Sequence, residues 1–129
     1  MKRKLEIFNI DKSKKPKNEI FILNLQLWYF DIIRICQSIQ SKNISVDNMI
    51  LEIKLPKLFI KRVETNSFWS LFDPLDCQNL IYCSNEEFDK LYIELENNRK
   101  YVKQIEAQKL WFDLMDCYSE NLWISLSYR

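Results

Sequence analysis

The chain has 129 residues, the length of one ordinary domain, and 47% of them are hydrophobic, which is enough to bury a core. Its 19 Lys and Arg nearly balance 18 Asp and Glu, so the net charge of +1 provides no bulk attraction to nucleic acid or to an acidic surface. There is no His and no Gly, where average usage would give about nine Gly, and this excludes Ser-His and Cys-His nucleophiles, His-bearing metal sites, P-loops and Rossmann fingerprints.

Residues 2–17 carry Lys2, Arg3, Lys4, Lys12, Lys14, Lys15 and Lys17 against only Glu6 and Asp11. This basic lead, residues 1–19, is expected to be a solvated arm, with a phosphate-binding or localisation tail as the alternative. A folded unit is expected over residues 20–129. Phe21, Leu23, Leu25 and Leu27 alternate with Ile22, Asn24 and Gln26, which predicts a strand with a buried face. Trp28 is expected to open a helix, because Trp28, Ile32, Ile35, Cys36 and Ile39 recur at helical spacing; Cys36 then serves packing rather than chemistry. The apolar run from Phe21 to Ile35 is interrupted by Asn24, Gln26, Asp31 and Arg34, so no membrane span is expected.

Asp47 to Leu55 predicts a second strand, and Pro56 fits the first position of a helix through Leu58, Phe59 and Val63. Phe68 to Phe72 predicts a short strand that stops at Asp73-Pro74. Asp73 and Asp76 could be paired carboxylates, but Asx-Pro turn chemistry accounts for them. Ser84 and Glu87 have capping-box spacing ahead of Phe88, Leu91, Tyr92 and Leu95. A further helix is predicted from Lys103 to Glu120, with Leu110, Trp111, Leu114, Met115 and Tyr118 on one side, and a last strand from Leu122 to Tyr128. This order predicts an α/β protein with a mainly parallel sheet, and periodicity does not separate a barrel from an open sheet.

Four cysteines, Cys36, Cys77, Cys83 and Cys117, stand at scattered spacings with no secretory leader ahead of them, which predicts reduced thiols and a cytoplasmic location. Cys77 and Cys83 lack a second pair or a His to complete a zinc site. Trp28, Trp69, Trp111 and Trp123 sit at core-like positions rather than among basic residues, so nucleic acid is not the expected partner. No catalytic, cofactor-binding or metal-ligating residue is assigned, and no cofactor is expected.

The stretch Leu58-Phe59-Ile60-Lys61-Arg62-Val63-Glu64-Thr65-Asn66, continued by Trp69-Ser70-Leu71-Phe72-Asp73-Pro74, resembles the "LFMKRV … WSLF-P" stretch of class I ribonucleotide reductase large subunits of eukaryotic and viral type. Glu86 to Tyr92 is similar to that family's "EEFEKLY", and Ala107 to Trp111 to its "AQQLW". Leu25 to Asp31 resembles "LEPWHLDI" in Leu25, Trp28 and Asp31, with Leu27 for the Pro and Tyr29 for the His. The likeness covers about residues 16 to 129.

The resemblance implies a fragment of the ten-stranded α/β barrel, mainly parallel strands alternating with helices, in which a cysteine radical takes a hydrogen from the ribose of a ribonucleoside diphosphate and two further cysteines reduce its 2′-carbon. It also implies that the family's redox cysteine lies upstream of the matched stretch, and its radical Cys, Asn and Glu downstream. Two functional loops depart from the pattern. A "GGNKRPGA"-like effector loop is replaced around Lys15 to Ile20, and "TGTPY" gives way to Asn121-Leu122-Trp123-Ile124-Ser125. The expectation is therefore a chain without catalysis of its own. Three readings follow: an interaction module, a split-enzyme fragment that needs a complementary chain, or a gene remnant. The implied partners are a ribonucleotide reductase large or small subunit, or further copies joined through exposed strand edges.

Overall fold

The structure is a computed structural model that describes residues 21–40, 49–120 and 124–129. The basic lead, residues 1–19, lies outside the described residues, as do Asp47, Asn48, Leu122 and Trp123 at the ends of two predicted strands. In chain order the elements are β1 (Phe21–Gln26), α1 (Ile32–Gln40), β2 (Met49–Leu55), α2 (Lys57–Glu64), β3 (Phe68–Leu71), α3 (Gln78–Tyr82), α4 (Asn85–Asn97), β4 (Lys103–Glu106), α5 (Ala107–Glu120) and β5 (Ile124–Tyr128).

Three of the strands form a parallel sheet in the order β1-β2-β5, with Leu25 opposite Ile53 and Ile53 opposite Leu126. Because strand side chains alternate between faces, Leu25, Leu51, Ile53 and Leu55 enter one buried core together with Ile124. Helices α1 and α2 both pack on α5, which also touches β5, so the three helices join the sheet in that core. Cys36 is buried there, as helical spacing predicts.

Three expected boundaries are corrected. Trp28 does not open a helix: its backbone carbonyl accepts from Phe72 N–H at 2.8 Å, and Phe30 N–H donates to the Phe72 carbonyl at 2.9 Å. This parallel bridge carries the chain past β1 before α1 starts at Ile32. Pro56 precedes α2 as its N-cap, with an extended backbone, rather than filling the first helical position. Lys103 to Glu106 is β4, paired antiparallel with β3, and α5 begins only at Ala107. The buried stripe of α5 is then Ala107, Leu110, Leu114 and Cys117, while Tyr118 is exposed. The β3-β4 pair is antiparallel, which a mainly parallel arrangement accommodates, and Val102 N–H extends the pairing to the Leu71 carbonyl at 2.7 Å.

A chain without Gly must still end its helices. Both α2 and α4 close in Schellman motifs: Ser67 N–H reaches the Arg62 carbonyl at 2.8 Å and Lys100 N–H reaches the Leu95 carbonyl at 3.0 Å. The residues forced into the left-handed region are Asn66 (φ 53°) and Arg99 (φ 55°). Asn tolerates that conformation, but Arg there carries a Cβ clash of about 1–2 kcal/mol. Arg99→Gly is therefore expected to raise stability by about 0.5–1 kcal/mol in urea unfolding, the relief exceeding the added freedom of the unfolded chain. An unchanged or lower midpoint would show that the Arg99 side chain makes a compensating interaction.

Candidate functional site

The two faces of the parallel sheet differ in chemistry. Opposite the buried face, the register lines up Asn24, Glu52 and Ser125 in one row and Gln26, Lys54 and Ser127 in the next. Asn24 and Ser125 are exposed, and the other four are half-buried. Lys54 pairs with Glu52 at 2.6 Å, and its hydrogen bond and charge hold the Glu52 carboxyl below the usual carboxylate range. Ser127 donates to Glu52 at 3.4 Å, and Trp28 donates its indole N–H to Gln26 at 2.8 Å. These groups bind one another, and none is a thiol.

At the carboxyl ends of the strands, where open α/β sheets commonly place ligands, Arg129 fills the position. Its backbone N–H continues the sheet to the Leu55 carbonyl at 3.0 Å. Its guanidinium donates to Gln26 Oε1 (2.7 Å), the Leu80 carbonyl (2.6 Å), the Cys83 carbonyl (2.9 Å), Cys83 Sγ (3.3 Å) and Asn85 Oδ1 (3.2 Å). These bonds use all five donors of the fork. The same group lies 4.4 Å from the Phe88 ring centroid. Arg129 thus ties α3 and α4 to the sheet and has no donor left for an anion. A cavity of about 220 Å³ beside it is lined by Pro56, Lys57, Asn85, Glu86, Phe88, Asp89 and Arg129. Its carboxylates and cations are mixed, and its lining has no thiol or hydroxyl.

A second polar cluster closes the β3-β4 side. Arg62 donates both terminal nitrogens to Glu96 at 2.9 and 2.7 Å and also reaches the Phe68 carbonyl at 3.0 Å. Ser70 Oγ donates to Glu96 at 2.5 Å and accepts from Gln104 Nε2 at 2.9 Å. Buried Tyr92 accepts from the Ser70 N–H at 2.7 Å and donates to the Ser70 carbonyl at 2.6 Å, so one phenol satisfies both backbone groups of a central β3 residue. Burial and the Glu96 charge push the Tyr92 hydroxyl well up, and it stays neutral. Burial pushes Glu96 up as well, yet the hydrogen bonds from Arg62 and Ser70 and the Arg62 charge outweigh it and leave that carboxyl below its ordinary range. The cluster is a structural tie with no reacting group.

The residues singled out in the sequence fall into place separately. Asp73 Oδ1 accepts from Leu75 N–H at 2.9 Å, the turn chemistry expected of an Asx-Pro corner. Ser84 Oγ caps α4 by accepting from Glu87 N–H at 3.2 Å. Cys77 and Cys83 flank the two ends of α3, one buried and one half-buried. Among the described residues, no three His, Cys, Asp or Glu side chains converge as metal ligands, and no helix is long and apolar enough to cross a membrane. Glu96, Gln104 and Arg129 were not legible as partners, since they bond to residues 34, 34 and 103 positions away.

The sequence model described as "Ribonucleotide reductase, barrel domain" matches residues 18–121. The chain belongs to the ribonucleotide reductase barrel-domain family. It is 32% identical over 115 residues to the ribonucleoside-diphosphate reductase large subunit of Danio rerio, covering 87% of this chain and 14% of that protein. It is 28% identical over 125 residues to the large chain of Neurospora crassa, covering 91% of this chain and 14% of the relative. The large subunit of Arabidopsis thaliana is also 28% identical over 125 residues, with 91% and 15% covered. The chain thus spans a small part of these ribonucleotide reductase subunits, and the part it spans holds α/β scaffold with parallel strands.

Proposed function

We propose that this chain supplies ribonucleotide reductase barrel scaffold without the reacting groups, so that alone it does not reduce ribonucleoside diphosphates and acts instead as an interaction module. The supporting observation is the placement of the thiols. All four cysteines lie in or beside helices, at Cys36 and Cys117 in the core and Cys77 and Cys83 around α3, and none points from a sheet strand where the polar face gathers. A cysteine radical has no seat on that face.

The interaction half of the reading rests on the sheet. Parallel strands are normally buried within larger sheets, and here β1 and β5 each pair on one side only among the described residues. The partner proposed for these edges is a strand of a large subunit of the same family. The test is a ribonucleoside-diphosphate reduction assay with solution mass measurement, on the chain alone and mixed with an intact large subunit. No turnover alone, with co-elution in the mixture, is the expected result. Turnover by the chain alone would overturn the proposal, and turnover only on adding a complementary barrel fragment would replace it with a split enzyme. A cooperatively folded monomer that leaves the subunit's mass unchanged would remove the interaction role.

A further inference from the structure

Helices α1 and α5 bring two cysteines together across the core. Cys36 and Cys117, 2% and 1% exposed, stand 81 residues apart in sequence. The Cys117 thiol donates to the Cys36 carbonyl oxygen at 3.3 Å, which sets the two cysteines side by side, and the Cys117 thiol is the largest influence on the Cys36 thiol. Two thiols in contact are not needed for packing, where one polarisable sulfur fills a gap as well as two. They are the minimum equipment of a reversible dithiol.

We propose that Cys36 and Cys117 are a redox pair that closes to a disulfide under peroxide and staples α1 to α5. The oxidant is a hydroperoxide, in the simplest case hydrogen peroxide. One thiolate attacks the O–O bond; a sulfur–oxygen bond forms, the O–O bond breaks, and hydroxide leaves to take up a proton as water. The second thiolate then attacks the sulfenic sulfur, the S–S bond forms, and the sulfenic oxygen departs as a second water. Two thiols and one peroxide give one disulfide and two waters, the two electrons passing from sulfur to the peroxide oxygens.

The environment sets the kinetics. The neighbouring Cys117 thiol, burial and the Asp113 charge all push the Cys36 thiol far above its ordinary range, so in the closed core it is not a thiolate. Reaction therefore waits on local opening of the α1-α5 seam. That opening is accessible because α1 has nine residues, too few to hold helical form without its packing. The pair should thus ignore brief exposure to oxidant and respond to a sustained one. Once closed, the bridge spans a long loop and resists reduction more than an exposed disulfide would.

The experiment uses the whole chain, oxidised with hydrogen peroxide at neutral pH, then alkylated in denaturant, digested and mapped by mass. The expected product joins the Cys36 and Cys117 peptides with loss of two hydrogens, within one chain, and is undone by dithiothreitol. Thermal unfolding of the oxidised form should shift upward by on the order of 10 °C. Cys117→Ser, which keeps a hydroxyl donor toward the Cys36 carbonyl, should abolish the linked peptide and the shift together. Free Cys36 and Cys117 after prolonged oxidation, separate sulfinic acids at both positions, or a crosslink that instead uses Cys77 or Cys83 would each overturn the proposal.

Discussion

Trp69→Ala is expected to lower stability by about 3–5 kcal/mol, a large share of what holds the fold. Trp69 is fully buried on β3, stacks on Tyr92 with ring centroids 4.4 Å apart, and meets Phe59 edge-on at 5.1 Å. Tyr92 in turn contacts Phe72 at 5.2 Å and Phe88 at 5.5 Å, so removing the indole opens a void at the centre of an aromatic cluster that joins β3, α2 and α4. A domain of this size holds about 5–15 kcal/mol in total, and the loss corresponds to a fall in unfolding midpoint on the order of 15 °C. Trp69→Phe separates ring packing from the indole N–H. The indole Nε1 is buried with no acceptor among the described residues, which already costs about 1–3 kcal/mol. Phe removes that donor while keeping the stack, so its net cost is expected to stay under about 1.5 kcal/mol. Equal losses for Ala and Phe in thermal and urea unfolding would mean that the indole N–H is paired and that ring packing contributes less than its polar contact.

Trp69 also shows what sequence alone makes legible. Its position in an apolar run predicted a short buried strand, and β3 is there, because alternation and helical spacing report burial directly. The same logic located β1, β2, β5 and the body of α1, α2, α4 and α5. It failed at β4, where Lys103, Gln104 and Glu106 are exposed and only Ile105 turns inward, leaving four residues with no apolar period ahead of a clear helix. It also missed α3, whose five residues are too few to show a period. Helical spacing puts the start of α1 four residues early, because Trp28 shares the helix's apolar spacing while its backbone is committed to Phe72, a pairing set by tertiary contact. The polar ties of Arg62 and Arg129 have no local signature. Hydrogen bonds between residues 34 or 103 positions apart follow from the fold and cannot precede it.

Arg62 carries the second large expectation. Its fork grips Glu96, with side-chain exposures of 19% and 13%, and its guanidinium lies 5.6 Å from the Tyr92 ring centroid and 5.9 Å from that of Trp69. Breaking a fully buried pair costs about 3–5 kcal/mol; this one is partly screened by solvent, so Arg62→Ala is expected to cost about 2–3 kcal/mol. Arg62→Met, which keeps an apolar stem over the rings, separates packing from charge, and a double-mutant cycle with Glu96→Gln should return a coupling of about 1–2 kcal/mol. Acid provides an independent check. The Glu96 carboxyl is held below its ordinary range in the fold, so the stability it contributes is present above the unfolded carboxylate value and is lost as pH falls through the lower folded value. Wild type should therefore lose more stability than Arg62→Met between pH 7 and about pH 3, since the variant has already lost the interaction that protonation removes. Urea unfolding at the two pH values measures this directly. Parallel losses in both proteins would assign the effect of Arg62 to its packing on Trp69 and Tyr92, and the Glu96 pair would then be neutral to folding despite its geometry.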